Sequence, residues 1–97
     1  MNKLSLSKTL EVTKEAVHCS VEEEVVILSL KNGVYYGLNP VGAFIWNLIQ
    51  KPKTLKEVRN AVLLEFEVDE EECMEDLYEL IGELLKKNLI EVKDDDP

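Results

Sequence analysis

The residues best suited to covalent or metal chemistry are His18 and Cys19, the sole histidine and one of two cysteines, with Cys73 far along the chain. Neighbouring side chains on a strand point to opposite faces, so His18 and Cys19 cannot meet as a base–nucleophile pair. A metal centre takes three or four ligands, and neither cysteine stands in a Cys-x-x-Cys or histidine-containing spacing. Both are therefore expected as small buried hydrophobes. No glycine-rich phosphate loop and no Gly-x-Ser-x-Gly elbow is present. The sequence predicts no catalytic residue, no metal and no cofactor, hence no enzyme.

What remains is backbone hydrogen bonding. Two β-rich runs, Val25 to Lys31 and Val34 to Leu38, are joined by Asn32-Gly33. Asn-Gly tolerates the two positive φ angles of a type I′ turn, which predicts a tight hairpin. Its register would set Lys31 opposite Val34, Ser29 opposite Tyr36 and Ile27 opposite Leu38. Both faces are apolar: Val25, Ile27, Tyr36 and Leu38 on one, Val26, Leu28, Leu30 and Tyr35 on the other. A solvated antiparallel sheet normally keeps one polar face, so the chain itself or a partner must cover the second. The outer edge of Val34–Leu38 is the expected working surface.

The elements that must position this edge follow from the rest of the chain. Its 97 residues suit a single domain, 1–97 with a core over about 8–92, whose thin core leaves little room for a deep cleft. Thr9 to Val17 carries Leu10 and Val12 at strand spacing, a first strand before the hairpin. Asn39 then caps a helix with Pro40 in its first turn. Val41, Phe44, Ile45, Leu48 and Ile49 form its apolar stripe, with Trp46 on the flank closing one edge of the core. Thr54 with Glu57 reads as a capping box opening a second helix, whose stripe is Leu55, Val58, Ala61, Val62 and Phe66. Asp69 with Glu72 repeats the device before a third helix that runs to about Lys87, where Asn88 suits a left-handed turn. Leu89–Val92 could close as a short strand. The fold class is α+β: an N-terminal three-stranded antiparallel sheet followed by three helices, in the manner of a winged helix-turn-helix.

Charge narrows the partners. The formal net charge is -9. From residue 60 to 85 there are ten acids and no base, a segment charge of -10, so the remainder sums to +1. Phosphate binding depends on Lys and Arg, and in a DNA-binding winged helix the acidic third helix would have to read the groove; no nucleic-acid partner is expected. The acidic run is a solvated helix face, or an attractor for a basic peptide. No apolar run reaches the ~18 residues of a membrane span, and residues 1–10 lack the apolar core of a secretion signal. No membrane partner is expected, and the cytoplasm is the expected compartment. The apolar residues of the third helix cover an arc of about 160°, wider than the ~100° one core requires. Either its Met74–Tyr78 edge or its Cys73–Leu80 edge is left for another contact.

Gly33-x-x-Tyr36-x-Leu38-Asn39-x-x-Gly42-x-x-Ile45-Trp46-x-Leu48 resembles the core signature of the PqqD-like family, the peptide-recognition modules of ribosomal peptide (RiPP) biosynthesis. The resemblance extends from about Val25 to Val92. The Pro-Glu-rich second strand and the Cys-Asp-Gly of members serving pyrroloquinoline quinone synthesis have no match here. Tyr-x-Leu-Asn and Ile-Trp are more similar to the freestanding modules of lasso-peptide clusters. The resemblance implies a module that binds a precursor's leader peptide as an added β-strand and delivers it to a separate leader peptidase, a cysteine protease. The implied peptide-binding residues are Val34, Tyr35, Tyr36, Gly37 and Leu38 on the edge, with Cys73, Met74, Leu77, Tyr78 and Ile81 on the third helix. Acids at Glu72, Glu75, Asp76 and Glu79 could attract basic leader residues. The alternatives are service to a radical-SAM or other modifying enzyme, and a structural subunit that binds no peptide.

Overall fold

The computed structural model describes residues 5–22 and 24–93. Its elements are β1 (Thr9–Val12), β2 (Ala16–Val21), β3 (Glu24–Ser29), β4 (Tyr35–Leu38), α1 (Pro40–Leu48), β5 (Lys53–Thr54), α2 (Leu55–Glu65), α3 (Glu70–Lys86) and β6 (Ile90–Lys93). The expected α+β order, a three-stranded antiparallel sheet followed by three helices, is present as β2-β3-β4 and α1 to α3.

The first strand differs from expectation. Thr9 to Val17 does not run straight: Thr13 donates its N–H to the Leu89 carbonyl at 3.1 Å, and Ala16 donates back to the Thr13 carbonyl at 3.4 Å. The chain therefore turns, and β1 leaves for a second sheet of order β5-β1-β6. There Leu10 opposes Val92 and Val12 opposes Ile90, so the expected closing strand ties the chain's end to its beginning.

The hairpin also departs from the predicted register. Ile27 lies opposite Tyr36 and Val25 opposite Leu38, a shift of two residues. A type I′ turn needs positive φ at both central residues. Here Gly33 takes φ 71° and Asn32 does not. Leu30 lies beyond the β4 ladder, and its N–H donates to the Glu15 carbonyl at 2.7 Å, extending the pairing with β2 by one residue. The connection becomes a five-residue loop, Leu30 to Val34, in which Gly33 N–H donates to the Ser29 carbonyl at 2.8 Å. Asn32 Oδ1 accepts from Val34 N–H at 3.0 Å. Because a slip of two preserves the pleat, the expected faces survive. Val25 and Ile27 are buried with Tyr36 and Leu38 packed beside them.

The caps form at the residues read for them, with Asp69 supplying one bond of its expected box rather than two. Asn39 Oδ1 accepts from Gly42 N–H at 2.8 Å, opening α1. Thr54 and Glu57 exchange both capping-box bonds at the start of α2. The Glu57 carboxyl sits below its usual range, chiefly through its bond from the Thr54 backbone. Asp69 accepts from Glu72 N–H at 2.7 Å, and Asn88 takes φ 60° after α3.

α1 is rotated from its predicted stripe. Trp46 is fully buried rather than at the flank, whereas Val41 is 36 % exposed and Phe44 half-buried. The largest apolar side chain takes the centre, where its area counts most. The core gathers around it from Leu10, Ile27, Ile49, Leu55, Leu77 and Leu89. The Trp46 ring meets His18 edge-on at 5.9 Å.

Candidate functional site

β4 pairs with β3 alone among the described residues, because the sheet order is β2-β3-β4. Ser29 N–H donates to the Val34 carbonyl, which fixes the ladder's phase. In an antiparallel ladder hydrogen-bonded and non-hydrogen-bonded pairs alternate. Tyr36 and Leu38 therefore turn their backbone groups toward β3, and Tyr35 and Gly37 turn theirs to the open edge. Their side chains alternate as well: Tyr36 and Leu38 face inward, Tyr35 outward. A Cβ on Gly37 would meet nothing within 4 Å.

Beside this edge runs a groove of about 750 Å³ between β4 and α3. Its floor is apolar. Ile45 of α1, Val62 of α2 and Cys73, Leu77 and Leu84 of α3 are buried at its base, and Leu80 is half-buried beside them. One end is closed by Phe66 and Val68, with Phe66 edge-on against Phe44 at 5.3 Å. At the other end the Lys87 ammonium sits 5.2 Å from the Tyr36 ring centroid. Asp76, Glu79 and Glu83 form the α3 rim. Burial pushes the Cys73 thiol up from its ordinary pKa, Asp76 and Glu70 add to this, and Arg59 opposes it.

Of the residues expected at the site, Tyr35, Tyr36, Gly37, Leu38, Cys73 and Leu77 line the groove together. Val34, Met74, Tyr78 and Ile81 do not. At about 100° per residue, Met74, Tyr78 and Ile81 fall on the flank of α3 turned away from Asp76 and Glu83. Ile81 is buried in the core, with Met74 and Tyr78 packed against it. The open side of the wide α3 arc is thus its Cys73–Leu80 edge. Val34 ends in the loop, its N–H taken by Asn32. Of the expected acids, Asp76 and Glu79 reach the groove and Glu72 and Glu75 do not.

Sequence reasoning missed Asn39, Val41, Gly42, Ile45, Val62, Phe66 and Val68, together with Glu83, Leu84 and Lys87. The apolar stripes of α1 and α2 did carry Ile45, Val62 and Phe66. Their period marks a face toward the interior, and it does not distinguish core from groove floor. Of the two cysteines expected to be buried, Cys73 is and Cys19 is exposed. Cys19 stands opposite Val26 on the outer sheet face, where Val17 opposes Leu28 and Leu28 opposes Tyr35. Nothing described covers that face, and Tyr35 is 69 % exposed. No described helix is long and apolar enough to cross a membrane.

The profile of the family described as coenzyme PQQ synthesis protein D (PqqD) matches residues 24–90. The chain belongs to the PqqD family. No curated protein matches it. Among solved structures, TbiB1 in complex with the TbiA(beta) leader peptide is 33% identical, with 84% of this chain and 94% of that chain covered and a TM-score of 0.79. A lasso peptide synthetase B1 complexed with the leader peptide shares the fold at 20% identity, with 84% and 96% covered and a TM-score of 0.74.

In this PqqD chain the signature residues build a corner. A Cβ on Gly42 would stand 3.3 Å from both Asn39 Oδ1 and Leu38 Cβ, so glycine lets the cap close against the strand. Ile45 then lines the groove floor, and Trp46, fully buried against His18 of β2, anchors α1 under the sheet. The Leu-Asn-x-x-Gly and Ile-Trp pattern thereby sets the spacing between the open edge and the groove floor.

Proposed function

We propose that this protein is a non-catalytic recognition module that binds the leader segment of a ribosomally made precursor peptide as a strand added to β4. The carrying observation is the coincidence of two features. Outward backbone groups of Tyr35 and Gly37 stand beside an apolar groove of about 750 Å³. Edge N–H and C=O groups supply affinity in any sequence, and alternate side chains dropping into a groove supply selection. The structures of two proteins of the same fold, one 33% identical, are described as leader-peptide complexes, which supports the reading.

The bound leader is then presented, in the cytoplasm where precursors are synthesised, to a separate leader peptidase of the lasso-peptide type, a cysteine protease. The uncovered apolar face of Val17, Leu28 and Tyr35 supports a second partner, since exposed apolar patches mark contact surfaces. The test is fluorescence anisotropy with a panel of labelled lasso-precursor leaders that includes the TbiA(beta) leader. At least one should bind, with its Tyr35 and Gly37 amide signals shifting in heteronuclear NMR. A panel with no binder, or binding that leaves both amides unmoved, overturns the reading.

A further inference from the structure

The groove is chemically lopsided. Its floor is apolar throughout, and the β4 wall contributes no charge. The α3 wall carries Asp76, Glu79 and Glu83, with Lys87 one turn beyond. Glu83 is already satisfied, because Lys87 Nζ lies 3.3 Å from its Oε2. Lys87 is the one cation among the described groove residues, and it is engaged both there and over Tyr36. Asp76 and Glu79 are exposed and have no ion-pair partner among the described residues. They sit at i and i+3 on one helix face, so a single cation can reach both.

From this asymmetry we infer that the groove selects peptides carrying a lysine or arginine at one groove-facing position and an apolar residue at the next, two residues away. The inference rests on the peptide-binding reading above and names the chemistry of its ligand. In an added strand, residues i and i+2 face the same way about 6.6 Å apart. One such side chain fills the floor over Leu77 and Leu84. The next can lay its aliphatic stem along half-buried Leu80 and carry its charged head to the rim at Asp76 and Glu79. Peptides with an acid at that position meet two carboxylates and are rejected. The acids over residues 60–85 add a long-range field of the same sign, which speeds capture of a cationic segment.

The decisive experiment is selection from a random-peptide display library on the full-length protein and on the Asp76→Asn/Glu79→Gln double variant. Wild-type binders should be enriched in Lys or Arg two positions from an apolar residue, and binders to the double variant should not. A fluorescein-labelled peptide from the wild-type pool should lose about three- to tenfold in affinity for the double variant. Its remaining affinity should vary less with salt than the wild-type value. Binders without a basic preference, or equal affinity for both proteins, overturn the inference while leaving peptide binding intact. A library that yields no binder on either protein overturns both.

Discussion

The Lys87 ammonium lies 5.2 Å from the centroid of the Tyr36 ring, joining the last turn of α3 to the middle of β4 across the mouth of the groove. The contact is half-exposed, so it is expected to contribute about 0.5–1 kcal/mol. Lys87→Met keeps the aliphatic stem and removes the charge. For a domain of this size its melting temperature should fall by about 2–8 °C. Differential scanning calorimetry checks this, with Lys87→Arg expected to stay near wild type. An unchanged Lys87→Met midpoint would show that the tether carries no energy.

Proline at adjacent positions of β4 should have opposite consequences. Gly37 turns its N–H to the open edge, so Gly37→Pro removes no bond from the β3 ladder. Tyr36 precedes it in extended conformation, which is what a residue before proline prefers. Gly37→Pro should therefore fold with a near-wild-type midpoint and lose roughly tenfold or more in peptide affinity, since an added strand loses a donor and meets the ring. Tyr36→Pro removes a ladder donor and should destabilise by about 1–3 kcal/mol. Trp46 is the only tryptophan and is fully buried, so its emission reports the fold in both variants. Equal stability of the two would disprove the assigned ladder phase.

Features carried by local chemistry were legible in the sequence. Asn39, Thr54, Asp69 and Asn88 each act within one helical turn, and each does what its residue type indicates. The hairpin faces were legible too, because alternation survives a slip of two. The hairpin failed on its turn: Asn32-Gly33 signals a two-residue turn, but Asn32 does not take positive φ, and the loop closes through Gly33 N–H on the Ser29 carbonyl. The other misses depended on distant partners. Trp46 lies off the α1 stripe by spacing, and its size wins the centre once β2 and β3 pack over it. The α3 arc was too broad to show its open edge. Only the placement of α1 and β4 decides that Cys73 and Leu80 face the groove while Met74 and Tyr78 do not.

The corner between β4 and α1 should be intolerant of change at both its cap and its glycine. Asn39→Ala removes the acceptor for Gly42 N–H and should cost about 1 kcal/mol, about 4–8 °C in midpoint. Gly42→Ala tests the corner from the other side. Helix propensity alone favours alanine by about 1 kcal/mol. Its Cβ, however, would press on Asn39 Oδ1 and Leu38 Cβ, each at 3.3 Å. No gain in midpoint is expected, and a rise of several degrees would show that the corner yields freely.

The two thiols should behave as different groups. Cys19 is exposed and Cys73 buried at the groove floor, so a disulfide reagent at neutral pH should titrate one thiol quickly and the other slowly. Burial raises the Cys73 pKa in the folded chain above its unfolded value of about 8.5. Below that unfolded value the thiol is protonated in both states, and its contribution to stability is fully present. As pH rises further, the unfolded chain loses the proton first, so unfolding becomes easier until the folded value is passed. Urea midpoints should therefore hold level from about pH 7 to 8 and decline above about 8.5. Cys73→Ala should start from a lower midpoint and show a shallower decline over the same range. An identical alkaline slope in the two proteins would assign the decline to other groups and remove Cys73 from the account.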